Sequence, residues 1–215
     1  MLNENTLLDD LPSKRFQFIG GELCLDFCNT MGGKREGTPR EKLHSYEEFL
    51  AWCEQASLVS HSKAAVLKTK ADEDQSKAAS VLARAIELRE SIYRMFFAII
   101  EGAQPSEADV ALLNAELARS MGRMRIGAKP SGKSFEWTWA QEPAQLDDPL
   151  GPLAYSAASL LASDKDHAHL HQCRGDNCGW LFIDASKNHS RCWCDMRDCG
   201  NRAKVRRHRQ KQHPI

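Results

Sequence analysis

The sequence predicts an α+β chain: a mainly helical N-terminal domain over residues 1–163 with a small antiparallel sheet, then a compact cysteine-rich unit over residues 164–215. Three observations predict it. From Tyr46 onward, apolar residues recur at threes and fours, the spacing of helices with one buried face. A stretch near residues 121–140 switches to a period of two, the pattern of a half-buried strand. Five of the eight cysteines fall between Cys173 and Cys199.

Taken in order, residues 1–15 read as a mobile lead-in. Phe16 to Asn29 mixes apolar and polar residues around Gly20-Gly21 and reads as a strand or short irregular segment. Thr30 to Arg40, rich in glycine and charge, reads as an exposed loop. Ser45 with Glu48 fits a capping box, and Tyr46, Phe49, Leu50 and Cys53 form the apolar stripe of the helix it opens. A short helix is expected from Ser62 to Lys70. The strongest helical pattern runs from Asp72 to Glu101, with Val81, Leu82, Ala85, Leu88, Ile92, Met95, Phe96 and Ile99 on one side. Gly102 stops it. Pro105 and Ser106 start the next helix, which carries Val110, Leu113 and Leu117. Met121 to Ala128 and Ser134 to Ala140 read as two strands joined by the turn 129–132. Phe135, Trp137 and Trp139 alternate there with Glu136 and Thr138, and the two tryptophans are expected in the core. Asp148 and Pro149 should cap a helix to about Ala162, and Ser163 to Asp166 reads as a linker.

Lysine plus arginine equals aspartate plus glutamate over the whole chain, 29 of each, yet the charge is unevenly spread. Ten basic and four acidic residues lie from Cys173 to Ile215, a local balance of +6, which leaves −6 for the rest. A basic tail on an acidic body points to nucleic-acid contact at the C-terminal end. No run of about eighteen apolar residues offers a membrane span. The acidic MLNENTLLDD start lacks the basic-then-apolar order of a secretory signal. A cytoplasmic location is therefore expected, and clustered cysteines there point to metal rather than disulfides.

Cys173-x4-Cys178 and Cys194-x4-Cys199 form two matching pairs, fifteen residues apart. Four thiolates suit a tetrahedral zinc ion, and two closely spaced pairs let each loop grip the metal from one side. Between them, Trp180 to Ile183 reads as a short apolar strand, Ser186 to His189 as a turn and Arg191 to Trp193 as a returning strand. A helix from about Asp198 would put Cys199 in its first turn, where the helix dipole favours a thiolate. Knuckle, hairpin and ligand-bearing helix together make a treble-clef-like arrangement around one structural Zn2+ per chain. Metal binding supplies roughly 10–16 kcal/mol to such units, more than so small a core can. Simple burial, disulfides and a redox-switching zinc site are the competing readings. Cys192 faces the same way as Cys194 on a strand and can replace it as a ligand. His167, His169, His171 and His189 are further donors nearby, read as linker and turn residues.

At these residues the sequence resembles a known family. Cys199-Gly200-Asn201-Arg202 matches the motif that names the CGNR zinc fingers, and Cys178-Gly179-Trp180-Leu181-Phe182-Ile183-Asp184 and Trp193-Cys194 fit the same pattern. Gly21 to Thr30, GELCLDFCNT, resembles the opening of the ABATE domain that usually precedes this finger. The resemblance covers nearly the whole chain. It implies a bacterial, stress-linked transcription regulator with a DNA-binding C-terminal finger. Cys192 departs from it, since a basic residue usually stands before Trp-Cys.

The tail from Asn201 to Lys211 reads as a basic helix. Arg202, Arg206 and Arg209 share one face by spacing, while Lys204, Arg207 and Lys211 form an adjacent one. These six are the expected nucleic-acid contacts, on phosphates and base edges. A structural role within the finger is the other reading for Arg202, and RNA binding or protein docking are the alternatives for the tail. In the N-terminal domain, Asp26, Asn29, Thr30 and Arg89 are candidate ligand contacts for an unknown effector, each with a structural alternative. A homodimer is compatible with the sequence. No G-x-S-x-G, P-loop, G-x-G-x-x-G or H-E-x-x-H occurs, and four thiolates leave no open metal position, so no enzyme is expected. An enzyme built on Asp26 and Arg89 is the weakest alternative.

Overall fold

Two glycines decide how the chain enters its core in the computed structural model. Gly21 takes a φ of +88°, and a Cβ on Gly20 would lie 2.9 Å from that of Leu25. This tight turn launches α1 (Leu23–Cys28), a six-residue helix with five residues buried. Residues 16–22 of the segment expected as a strand or irregular stretch are irregular, and only its second part is a helix. Because it is enclosed on nearly every side, it carries neither a period of two nor one of 3.6. It packs against α4, α6 and β4, described below, and so sits at the centre of the molecule.

The structure describes residues 16–129, 131–140, 142–163 and 167–212, without the side chains of 211 and 212. The expected lead-in, Pro130 of the turn, most of the expected linker and the side chain of Lys211 lie outside the described residues.

Helix α2 (Tyr46–Gln55) begins as its sequence predicts: Ser45 Oγ accepts from the Glu48 N–H, and the Glu48 carboxylate reaches back to the His44 N–H. Helix α3 (His61–Glu73) starts one residue earlier and ends three later than expected, capped by Ser60. The long helix expected from Asp72 is interrupted. Asp74 leaves helical geometry at φ −136° and ψ 76°, ending α3 and capping α4 (Gln75–Ile100) through a 2.9 Å bond from the Lys77 N–H. A side chain that hydrogen-bonds the next turn offers the backbone this exit. Ser106 caps α5 (Glu107–Ser120) in the same way.

A 3-10 turn (Met121–Arg123) leads into β1 (Met124–Ala128), paired antiparallel with β2 (Phe135–Trp139) in the register Met124↔Trp139 to Ala128↔Phe135. Only the root of this ribbon is packed: the Trp139 ring meets Tyr155 and would collide with any side chain at Gly151. Trp137 was expected in the core but is 60% exposed, and Phe135 is 73% exposed. A ribbon of two strands has no third layer to cover both faces along its length. Helix α6 (Leu150–Leu161) follows, but Asp148 does not cap it. Its carboxylate pairs with Lys63 and Arg123 instead.

The C-terminal part opens with β3 (Leu170–Gln172), antiparallel to β4 (Leu181–Ile183) with Leu170 opposite Ile183. The sequence led us to expect β4 to pair with residues 191–193. That role goes to the segment preceding Cys173, because the later one is held as a loop by Asp184. Leu170 and Leu181 join the same apolar core as Phe27, Phe49, Trp52 and Leu88. A π-helical turn (Met196–Gly200) runs straight into α7 (Asn201–Gln212). Among the described residues, no helix is long and apolar enough to cross a membrane.

Candidate metal centre

Cys173 follows β3, Cys178 precedes β4, Cys194 ends the loop and Cys199 lies in the π-helical turn. Their four Sγ atoms all lie within 4.8 Å of one another. The separations from Cys194 to Cys178 and to Cys199 are both 3.7 Å. A tetrahedron with Zn–S bonds of about 2.3 Å has edges of about 3.8 Å, whereas a disulfide needs about 2.05 Å. The donor set fits a single structural Zn2+ and does not fit disulfides. The chemistry agrees. Hydrogen bonds from Cys178 and Cys194 hold the Cys173 thiol far below its ordinary range, and those same bonds to Cys173 push the Cys178 and Cys194 thiols up. Four thiols this close do not all ionise unless a cation balances them.

The backbone is shaped to the sulfurs. The Gly175 and Cys194 N–H groups donate to Cys173 Sγ at 3.4 and 3.3 Å. A Cβ on Gly175 would stand 3.1 Å from both Cys199 Sγ and Cys178 Cβ, so glycine lets the first knuckle close over the cluster. The Cys-Gly-Asn-Arg run acquires physical roles. Cys199 is a ligand. Asn201 donates to the Arg197 carbonyl at 2.9 Å and ties the π-helical turn to α7. Arg202 donates to Cys199 Sγ at 3.1 Å and pairs with Asp198 at 3.2 Å. A guanidinium on a thiolate offsets part of the charge that four such ligands bring.

Cys192 is outside the cluster, its thiol donating to the Ser190 carbonyl, so the alternative ligand set is not adopted. The four histidines are also elsewhere: His169 stacks on His189, His171 meets Phe182 and His167 meets the Leu160 carbonyl. Sequence reasoning missed Asp184. It is fully buried and accepts from the Ser186 and Arg191 N–H groups at 2.8 and 2.7 Å. Hydrogen bonds from Ser186, then from Arg191, hold its carboxyl down at about 2. It fixes the loop that delivers Cys194, and an aspartate directly after an apolar strand was the available signal.

The expected nucleic-acid contacts divide into two sets. Arg202 serves the thiolate, and Arg206 pairs with Asp176 of the first knuckle. Lys204, Arg207 and Arg209 are exposed and have no ion-pair partner among the described residues.

The four candidate ligand residues each have protein partners. Asp26 accepts from the Gly20 N–H at 2.7 Å, and burial pushes its carboxyl up to about 6. Asn29 bonds both the N–H and the carbonyl of Leu181 at 2.9 Å, acting as one more strand residue beside β4. Thr30 donates to the Phe27 carbonyl and accepts from Arg89. Arg89 is fully buried, held by both Glu41 oxygens at 2.7 and 2.6 Å and by Glu90 at 2.8 Å. The metal-binding unit is joined to the helices at other points too. The Ile183 N–H donates to the Gly20 carbonyl, the Trp180 ring N–H donates to the Met31 carbonyl, and Gly179 lies so close to Gly33 that a Cβ would sit 2.7 Å from its oxygen.

Comparison with known proteins adds two matches. Residues 21–164 match the ABATE model, described as "Putative stress-induced transcription regulator", and residues 169–212 match the CGNR zinc finger. No curated protein matches the chain.

Proposed function

The chain belongs to the ABATE family and carries a CGNR zinc finger, and from that premise we propose that it is a zinc-dependent, DNA-binding transcription regulator with a ligand-sensing N-terminal part. The observation that carries the reading is the division of labour on α7. Arg202 and Arg206 anchor the helix to the metal site, while Lys204 and Arg207 on the adjacent face, with Arg209 farther along, have no ion-pair partner among the described residues. A helix fixed at one end by a metal and cationic along its free face suits a phosphate backbone. Zinc is the structural support here: the four cysteines fix where α7 starts, and no open coordination position is left for chemistry.

Duplex binding by the zinc-loaded protein, measured against salt, tests this. Affinity should fall steeply as salt rises, and Arg207→Ala should lower the log–log slope by about one while zinc stays bound. A salt-independent signal, or binding unchanged in a combined Lys204→Ala, Arg207→Ala, Arg209→Ala variant, would overturn it. Genome-wide mapping of the bound DNA, compared with Cys199→Ser, then identifies the operator.

A further inference from the structure

The loop of residues 31–42, which follows α1, clasps the first cysteine knuckle. The Lys34 N–H donates to Asn177 Oδ1 at 3.3 Å, the Asn177 side-chain amide donates to the Thr38 hydroxyl, and the Trp180 ring N–H donates to the Met31 carbonyl at 3.1 Å. At the end of the loop the Lys42 ammonium lies 4.9 Å from the Trp180 ring centre.

A cavity of about 430 Å³ lies between loop and knuckle. Its wall carries the ligands Cys178, Cys194 and Cys199 from the finger, and Arg40 and Lys42 from the body. The other charged groups of that wall are Arg202 and Asp198, paired with each other at 3.2 Å. A second cavity against Cys178 and Cys199 adds Asp176, which is paired with Arg206.

The charges can be matched one by one. Each aspartate has its arginine, and Arg202 divides its charge between Asp198 and the Cys199 sulfur. Four thiolates exceed a divalent cation by two charges. The two cations left over are Arg40 and Lys42, neither of which has an ion-pair partner among the described residues. Burial is the largest influence on Lys42 and pushes its pKa below the ordinary lysine value. The Arg40 charge acts in the same direction, and Cys178 opposes both. A half-buried ammonium beside another cation is costly unless an anion lies near it.

Glu41, between the two cations, is turned the other way. Its two oxygens accept from the fully buried Arg89, and it also accepts from the Lys42 and Leu43 N–H groups at 2.9 and 2.8 Å. The Arg89–Glu41 pair thus fixes the backbone from which Arg40 and Lys42 reach the wall of the metal site.

We propose that Arg40 and Lys42 are outer counter-charges of the metal–thiolate centre, so that the helical body completes the charge balance of a site whose ligands all come from the finger. They bind no metal themselves. Their positive charge favours the thiolate forms that metal binding requires, and so tightens it. The inference goes beyond the regulator reading and does not depend on it.

Zinc affinity of the reduced, full-length protein, measured by competition with a chromogenic chelator, tests this. Lys42→Met, which keeps an apolar stem on Trp180, and Arg40→Gln should each weaken zinc by about threefold and together by about tenfold, while the charge-conserving Lys42→Arg and Arg40→Lys leave it unchanged. Arg40 is exposed, so Arg40→Gln keeps the test decisive if Lys42→Met disturbs the loop. The loss should shrink as salt rises, because salt screens such charges, a response that a purely structural role would not give. Zinc affinity unchanged or tighter in the double variant, an equal loss in Lys42→Arg and Lys42→Met, or a loss of the same size at low and high salt would overturn the proposal. Because DNA is absent from the assay, failure of the regulator reading leaves each of these outcomes unaltered.

Discussion

The helical body and the C-terminal finger are held by different forces. The body buries Phe27, Phe49, Trp52, Leu67, Leu88, Ile92, Met95 and Phe96 in one continuous core. Around the four cysteines, Phe182 is the only other buried apolar side chain among the described residues, with Ile19, Trp180 and Trp193 partly covered beside it. Burial of a few such side chains contributes far less than the roughly 10–16 kcal/mol that zinc supplies to units of this kind. The difference teaches where each half should fail: the body when its core is cut, the finger when its metal is removed.

The first way to break this comparison has the largest effect. Cys199→Ser should abolish stoichiometric zinc and order in α7, seen by metal analysis and NMR, while the body keeps its helical signal. Next, Phe27→Ala removes a fully buried ring that packs at 5.1 Å on Trp52 and 6.0 Å on Phe49. It should lower unfolding free energy by about 3–5 kcal/mol in denaturant titrations while the thiolate cluster keeps its metal affinity. If either variant damages both halves equally, the division is wrong.

These two regions were also unequally legible in sequence. In the finger, side-chain chemistry dictates structure locally, so the ligand pairs could be picked out by their matching spacing, with Cys192 open as a substitute for Cys194; the helix expected from about Asp198 begins at Asn201, after a π-helical turn that holds Cys199. The strand partner of β4 could not be read, because a period of two does not say which segment lies alongside. In the body, α2, α4 and α5 were legible from one buried face each. Helix α1 was not, since a segment buried all round shows no periodicity. The break at Asp74 was hidden because residues 72–76 are all polar and carry no apolar spacing to interrupt, although aspartate favours a cap over a helix interior. Trp137 misled for the opposite reason: alternation shows that a strand has an apolar face, but not that anything covers it. The four polar residues suspected of ligand contact all have protein partners, some near in sequence, as Gly20 is to Asp26 and Glu90 to Arg89, and some distant, as Leu181 is to Asn29 and Glu41 to Arg89.

Asn29→Ala sharpens the comparison at the seam. Its side chain satisfies both backbone groups of Leu181, and each buried group left without a partner costs about 1–3 kcal/mol. Stability should fall by about that amount per group, with faster hydrogen exchange at β4 and zinc still bound. The smallest effect belongs to Asp26. Its folded carboxyl titrates near 6, above its ordinary 3.8, so the folded state holds the proton more tightly than the unfolded chain. Its contribution is therefore complete below about pH 4 and is lost as pH rises through 6. Asp26→Asn, which keeps an acceptor for the Gly20 N–H, should remove that decline in melting temperature between pH 4 and 6.

The most direct test of the central claim is hydrogen exchange, residue by residue, before and after a zinc chelator is added to the reduced protein. We predict one zinc per chain, and loss of protection from Cys173 through α7 on chelation while α2, α4 and α6 stay protected. Protection of α7 that survives complete metal removal, or a reduced protein with no stoichiometric zinc, would contradict the account.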